Sequence, residues 1–299
     1  MVYNLIKEID MKLYKYIFLI LLATTFVACD DEEDLGKSNI VIDDTKNEID
    51  QWIYDNLTKT YNIEVKYEWD DTELENDKVL AAPALDKVLP FLKTLKKSWI
   101  EPYEIHGGET FIRTYIPKLL VLVGSRNMND DGTMVQGTAV GGRKVVIYQL
   151  NEFDPEYQNS SKAFLKRMLH VMHHEFGHIL HQTVMYPDEF KLVTAGGYTS
   201  AWMNVSETDA LSEGFITPYS KLDVDENFVE TIATILTNSK DQYDAILLRG
   251  SSAGQKLLRT KEEIVANYFQ DVWHIDIYAL QADIYKVIQE MDLEEVAGE

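Results

Sequence analysis

The stretch that decides the fold is HVMHHEFGHILH, residues His170–His181. Apolar residues recur through it and before it at helical spacing, which predicts a helix over residues 161–183. His174 and His178 are four residues apart, so they point the same way from that helix, with Glu175 one step round from the first. Two such imidazoles are typical zinc ligands, and a carboxylate beside them can take a proton from water. The pattern favours a zinc-dependent hydrolase.

A zinc site on this helix needs a third ligand, and His181 is the nearest candidate. It lies seven residues beyond His174, which corresponds to about 10.5 Å along the helix axis. Ligands at ~2.1 Å from one ion lie within ~4.2 Å of each other. We therefore expect His181 to form a wall of the site or to support a ligand. The alternative interpretation of HEFGH, as core histidines satisfied by hydrogen bonds, stays open at this point.

A second acidic pair offers the missing ligand. Glu226 and Glu230 are four residues apart, on one face of a helix predicted from Asp225 to about residue 237. The apolar residues around them indicate a largely buried helix, in which carboxylates need a cationic partner. The spacing alone does not choose between the two glutamates, and a solvated acidic face is the alternative.

The elements on either side of the motif predict an α+β fold. Strands are predicted over residues 62–70, 118–125 and 138–150. Further helices are predicted over residues 83–100, 253–269 and 276–291. Pro90 is expected to break or kink the first of these helices. Because strands come mainly before the HEFGH helix and helices after it, residues 43–299 are predicted to form one domain with a β-rich N-terminal lobe and a helical C-terminal lobe.

The N-terminal segment is typical of an export signal with a lipid attachment site. Lys12 and Lys15 precede an apolar stretch of about a dozen residues, within the ~7–15 of a signal peptide and short of the ~20 of a membrane span. That stretch ends at Cys29, the only cysteine. We therefore predict a signal peptide over residues 1–28, whose natural start is Met11, and a lipid on the mature N-terminal cysteine.

An acidic run, Asp30–Asp34, follows the cysteine and opens a tether predicted over residues 29–42. The formal net charge of the whole chain is −22. A chain this acidic repels nucleic acid and anionic lipid, so neither is an expected partner. We expect the membrane to hold the protein through its lipid anchor at Cys29.

Several of these features together resemble a known family. FVAC before the acidic run, HHEFGHILHQ, GGYTSAW (Gly196–Trp202) and ENFVE (Glu226–Glu230) are similar to the zinc-binding metallopeptidase lipoproteins associated with SusC/SusD-type uptake systems. The resemblance covers most of the mature chain, most specifically residues 165–236. Asn227 and Val229 depart from the EDFAE usual in that family, at positions that are not ligands.

This resemblance implies a gluzincin-like zincin fold, with a small mixed sheet, an active-site helix and a helical C-terminal part. It implies one Zn²⁺ per chain, bound by His174, His178 and Glu226, with Glu230 behind these ligands to orient a histidine. It also implies a tyrosine seven residues before the glutamate ligand, where Tyr219 stands. Its phenol would hydrogen-bond the oxyanion that forms during amide hydrolysis.

The expected activity is hydrolysis of peptide bonds in peptide or protein substrates, with Glu175 taking the proton of the attacking water and passing it to the leaving amine. A strand within residues 138–150 would form the sheet edge above the metal and pair with an extended peptide. The acidic run resembles the surface-export signal of Bacteroidetes-type lipoproteins, which implies the outer face of the outer membrane, beside a SusC/SusD-type transporter. The alternative is an accessory binding lipoprotein of the uptake complex, in which zinc is structural or the catalytic role is lost.

Overall fold

The structure is a computed structural model, and the residues that it describes are 47–70, 72–74, 78–129, 134–135, 137–140 and 143–298. They belong to one compact unit that spans Asn47–Glu299. The predicted signal peptide and the tether with Cys29 lie outside these residues. Within the described ranges, we find no helix with the length and apolarity that crossing a bilayer requires.

Helices make up most of the described chain. In chain order they are α1 (Glu48–Ile53), α2 (Lys59–Tyr61), α3 (Leu85–Leu95), α4 (Glu101–Gly107), α5 (Glu109–Tyr115), α6 (Gln158–Thr183), α7 (Asp188–Val193), α8 (Glu207–Ser212), α9 (Val224–Leu236), α10 (Lys240–Leu247), α11 (Ser252–Trp273), α12 (Ile277–Glu290) and α13 (Leu293–Gly298). Two π-helical turns, Tyr54–Thr58 and Lys96–Ile100, join α1 to α2 and α3 to α4.

The strands form one small mixed sheet and a short ribbon. They are β1 (Glu64–Lys66), β2 (Leu119–Leu122), β3 (Asn127–Met128), β4 (Met134–Val135), β5 (Gly137–Val140) and β6 (Lys144–Ile147). The sheet has the order β1-β2-β6-β5, in which β1, β2 and β6 are parallel and β5 runs antiparallel along one edge. The ribbon pairs β3 with β4. This mostly helical fold with a small sheet confirms the predicted α+β class.

The part of the chain before α6 holds more helix than the sequence predicted. Helix α3 runs through Pro90 without a break and continues through the π-helical turn into α4. The side chains of Trp99 and Tyr103 pack edge-on against Phe176 of α6, with ring centroids 6.0 and 4.9 Å apart. This packing offsets the cost of a proline inside a helix, which is ~3 kcal/mol. The N-terminal lobe therefore combines helices with the sheet.

Helix α6 carries the HEFGH motif and packs in the core against α9. Met168 and Phe176 on its apolar face are fully buried. Gly177 lies where the two helices meet, since a Cβ atom there would be only 3.0 Å from Cγ1 of Val229. The absence of a side chain at this glycine lets α6 and α9 approach closely, which brings their polar residues within reach of each other.

The start of α9 is set by Asp223. Its carboxylate accepts hydrogen bonds from the backbone N–H groups of Asp225 (2.8 Å) and Glu226 (2.9 Å), as an N-cap residue does. The helix therefore places Glu226 in its first turn and Glu230 one turn later. Its apolar residues other than Val224 are buried, so the predicted buried helix is confirmed.

Candidate metal centre

Three side chains from α6 and α9 converge at one point. One nitrogen of His174, one nitrogen of His178 and one carboxylate oxygen of Glu226 all lie within 4.8 Å of one another. His174 Nε2 is 3.1 Å from Oε2 of the glutamate, and His178 Nε2 is 3.5 Å from Oε1. Donors bound at ~2.1 Å from a tetrahedral ion lie ~3.4 Å apart. The geometry is that of three donors around one cation.

The chemistry of the donor set also fits zinc. Oε2 of Glu226 is a buried carboxylate oxygen that receives no well-directed hydrogen bond from the residues that the structure describes; its near neighbour is His174 Nε2 at 3.1 Å. Such an oxygen is costly to bury alone, and a cation removes the cost. Two imidazoles and one carboxylate, with a fourth position left open, form the donor set of catalytic zinc sites.

The electrostatic field at this point favours positive charge. Burial alone would raise the pKa of Glu226, but the neighbouring His174 and His178 lower it to about 2. Burial would lower the pKa of His174, but Glu226 and Glu230 raise it to about 10. The carboxylate is therefore ionised at neutral pH, and the site attracts a proton or a metal ion.

Glu230 lies behind His174. Its Oε1 is 2.9 Å from His174 Nδ1 and 3.0 Å from His170 Nε2, and its Oε2 accepts a hydrogen bond of 2.7 Å from Thr217 Oγ1. Because this carboxylate bonds the Nδ1 side of the ring, Nε2 is left facing Glu226. The sequence spacing did not choose between Glu226 and Glu230. In the structure, Glu226 lies at the Nε2 atoms of both histidines, and Glu230 lies at the Nδ1 side of His174.

His181 lies behind His178. Its Nε2 is 3.0 Å from His178 Nδ1, and its ring packs edge-on against Tyr186 with centroids 5.5 Å apart. The Tyr186 hydroxyl in turn donates to Asp225. Burial lowers the pKa of His181, so its imidazole is neutral. Among the described residues, the group of three converging donors does not include His181.

Glu175 and Tyr219 flank the point of convergence. Burial raises the pKa of Glu175, against the opposing effect of His174 and His178, which makes its carboxylate a stronger base. The Tyr219 ring lies 5.9 Å from the His174 ring, between centroids. Burial and the nearby Glu226 carboxylate raise the pKa of Tyr219, so its phenol keeps its proton and is able to donate it in a hydrogen bond.

The GGYTSAW segment contributes to the same region. Trp202 packs edge-on against Tyr219, with ring centroids 4.9 Å apart. The hydroxyl of Tyr198 accepts a hydrogen bond of 3.1 Å from Asn227 Nδ2 on α9. Trp202 therefore fixes one face of the tyrosine, while Tyr198 ties the loop to the helix that carries Glu226.

Two residues of the site were missed in the sequence. His170 precedes His174 by four residues, so its spacing on the helix already placed it on the metal-binding face. Thr217 lies in an irregular segment, where no periodic pattern marks a hydroxyl that bonds a distant glutamate. Both side chains act on Glu230 and complete its hydrogen bonding.

Comparisons with known proteins find a family whose description names zinc. Residues 42–278 match the model of a family described as "Putative zinc-binding metallo-peptidase". The chain is also similar to a solved structure described as a "putative zinc-binding metallo-peptidase from Bacteroides caccae ATCC 43185". The sequence identity is 31%, the match covers 83% of this chain and 95% of that chain, and the TM-score is 0.70. A comparison with curated proteins finds no match.

Proposed function

We propose a zinc-dependent peptidase activity for this chain, because it belongs to the family described as "Putative zinc-binding metallo-peptidase". His174, His178 and Glu226 would hold one Zn²⁺ per chain. The observation that carries the proposal is the convergence of these three donors. In the described part of the chain, Oε2 of the glutamate is buried and receives no well-directed hydrogen bond.

The residues around that point have the properties that amide hydrolysis needs. Bound zinc would polarise the carbonyl group of a substrate and acidify a water molecule. Glu175 would take the proton of the attacking water and give it to the leaving amine, and a pKa raised by burial suits both transfers. The phenol of Tyr219 would donate a hydrogen bond to the substrate oxygen as negative charge develops there.

An extended peptide substrate would lie along β5. Among the strands of the described residues it is at the end of the sheet, and a peptide would pair with its outer backbone edge. Its first residue, Gly137, is so close to α6 that a Cβ atom there would lie 2.6 Å from Cγ1 of Val171, about one helical turn before His174. An antiparallel edge strand above a helix with HEFGH supports a zincin-type fold of the gluzincin kind.

The test is the Glu175→Gln variant, with metal content and cleavage of a proteome-derived peptide library measured together. Both parent and variant should contain about one zinc, and the variant should lose ~10²- to 10⁴-fold in cleavage rate because it lacks the base. The exposed Glu189→Gln serves as the matched control. A Glu175→Gln variant as active as the parent would show that Glu175 is not the base in this mechanism. Retained zinc with no cleavage by the parent would favour the accessory binding role.

We also propose, from the sequence, that the protein is anchored at the cell surface by a lipid on Cys29, as an outer-membrane partner of a SusC/SusD-type transporter. This proposal is supported by the FVAC segment and the acidic run after it. Cys29→Ser should move the protein from the membrane fraction to the soluble fraction of cells. An unchanged membrane fraction would contradict lipid attachment at this residue.

A further inference from the structure

A cavity of about 480 Å³ lies beside the metal centre. One wall is formed by residues of α6 that share the helix face of His174, at spacings of three and four residues: Ala163, Lys166, Arg167 and His170. The opposite side includes Leu211, Ile216 and Ile246, which are apolar. The cavity therefore lies along the same face of α6 as His174, nearer to the start of that helix.

The charge of this cavity is opposite to that of the chain. Lys166, Arg167 and Arg249 line it, against one carboxylate, Glu207, which Arg249 already pairs. The whole chain has a net charge of −22, so a cavity lined by more cationic than acidic side chains is unusual for this protein. A cavity lined in this way attracts anions and rejects cations.

Two of these cations have no acidic partner among the described residues. Lys166 Nζ donates a hydrogen bond of 2.7 Å to Oδ1 of Asn238, and the guanidinium carbon of Arg167 lies 5.8 Å from the ring centroid of Phe164. Burial lowers the pKa of Lys166, because a positive charge held away from water without an anion is unfavourable. A bound carboxylate would remove that cost and offer strong, charge-assisted hydrogen bonds.

The cavity and the metal centre share a wall. His170 and Thr217 line the cavity, and both bond Glu230, which bonds His174. Arg167 precedes His174 by seven residues, or about 10.5 Å along the helix axis. An extended peptide advances ~3.4 Å per residue, so about three residues of such a peptide span a distance of this size.

We infer that this cavity binds a carboxylate of the peptide substrate through Lys166 and Arg167, within about three residues of the cleaved bond. This inference rests on the proposed peptidase function. The carboxylate is that of an aspartate or glutamate side chain or that of the peptide C-terminus, and the apolar side chains Leu211, Ile216 and Ile246 accommodate the aliphatic part of either. The protein is then a peptidase selective for acidic or C-terminal segments.

The experiment measures binding apart from cleavage. Fluorescent peptides are titrated into the zinc-loaded Glu175→Gln variant and their anisotropy is followed. One series carries glutamate or glutamine at each position in turn, and a second pair differs only in a free or amidated C-terminus. We expect about tenfold tighter binding of the carboxylate peptide at one register, which is the fold-change that a charge-assisted hydrogen bond of about 1.4 kcal/mol produces. The two series show which carboxylate is bound.

Variants then test the residues. Adding Lys166→Gln and Arg167→Gln should abolish the preference, whereas Lys162→Gln should leave it intact. Lys162 is the control for Lys166 because it lies on the same helix, loses one positive charge in the same substitution and donates to the backbone carbonyl of Gln289. Arg167→Glu should instead favour a lysine peptide over its glutamate counterpart. Zinc content and circular dichroism of each variant verify that it is folded.

The outcomes separate the two proposals. Equal affinity for carboxylate and amide peptides would overturn the cavity inference, even if the parent cleaves peptides. A preference that survives in the Lys166→Gln, Arg167→Gln variant would also overturn it. If the preference is present and is lost with these cations while the parent cleaves no peptide, the peptidase proposal fails and the carboxylate site stands.

Discussion

The two histidines of HEFGH lie one helical turn apart, yet they are held in different ways. His174 Nδ1 faces the carboxylate of Glu230 at 2.9 Å, whereas His178 Nδ1 faces the imidazole of His181 at 3.0 Å. A carboxylate makes a charge-assisted hydrogen bond, which is shorter and about twice as strong as a neutral one. The site therefore has a firm side, where Glu230 holds His174, and a more adjustable side, where His181 holds His178.

The hydrogen bonds around Glu230 and around His181 add to this difference. The oxygens of Glu230 are also bonded by His170 and Thr217, so its position is fixed from three directions. The Nδ1 atom of His181, in contrast, is buried and has no hydrogen-bond partner among the residues that the structure describes. Because a fully satisfied polar network is stiffer than an incomplete one, we expect the ring of His174 to be the better oriented. The cationic cavity adjoins this firm side.

The largest effect on zinc affinity is expected for Glu230→Gln. The amide keeps the size of the side chain but removes the charge that orients His174 and increases its basicity. We expect zinc affinity to fall ~10- to 100-fold, as for other residues that hold a metal-binding histidine. Competition with a chromophoric zinc chelator measures the change.

The exposed Glu263→Gln on α11 is the matched control, since it removes the same charge from a side chain at the surface. A Glu230→Gln variant that binds zinc as tightly as the parent would mean that the carboxylate does not orient the ligand. The firm side would then owe its geometry to packing alone.

Both helices that form this site could be predicted from the sequence. The HEFGH helix was expected over residues 161–183 and extends over Gln158–Thr183, because its apolar periodicity is long and regular. The choice between Glu226 and Glu230 could not be made from spacing. It depends on where α9 begins, which the cap at Asp223 sets, and on how closely α9 approaches α6. Both are properties of tertiary packing.

Other features show the same division between local pattern and packing. The position of His170 on the metal-binding face follows from helical spacing, but its bond to Glu230 depends on a residue sixty positions later in the chain. Thr217 and Trp202 lie in irregular segments, so only the folded structure brings them to the site. Pro90 shows the reverse case, since a strong local signal for a break is overcome by the aromatic packing around α3 and α4.

A smaller effect is expected for His181→Phe, and it tests the adjustable side. Phenylalanine keeps a ring against Tyr186 and Phe228, whose centroids lie 5.5 and 6.2 Å from that of His181, but it removes the nitrogen that meets His178. Since a neutral hydrogen bond contributes about 1 kcal/mol, zinc affinity should fall by less than about tenfold in the same chelator competition.

The double variant Glu230→Gln, His181→Phe tests whether the two histidines are held independently of each other. If the two supports orient their histidines independently, the losses in binding free energy add within about 0.5 kcal/mol. If zinc affinity falls as much for His181→Phe as for Glu230→Gln, the two histidines are held with equal strength and the proposed difference between them is wrong. A loss in the double variant much smaller than the sum would show that releasing one histidine already releases the other, so that α6 presents the pair as a single rigid unit.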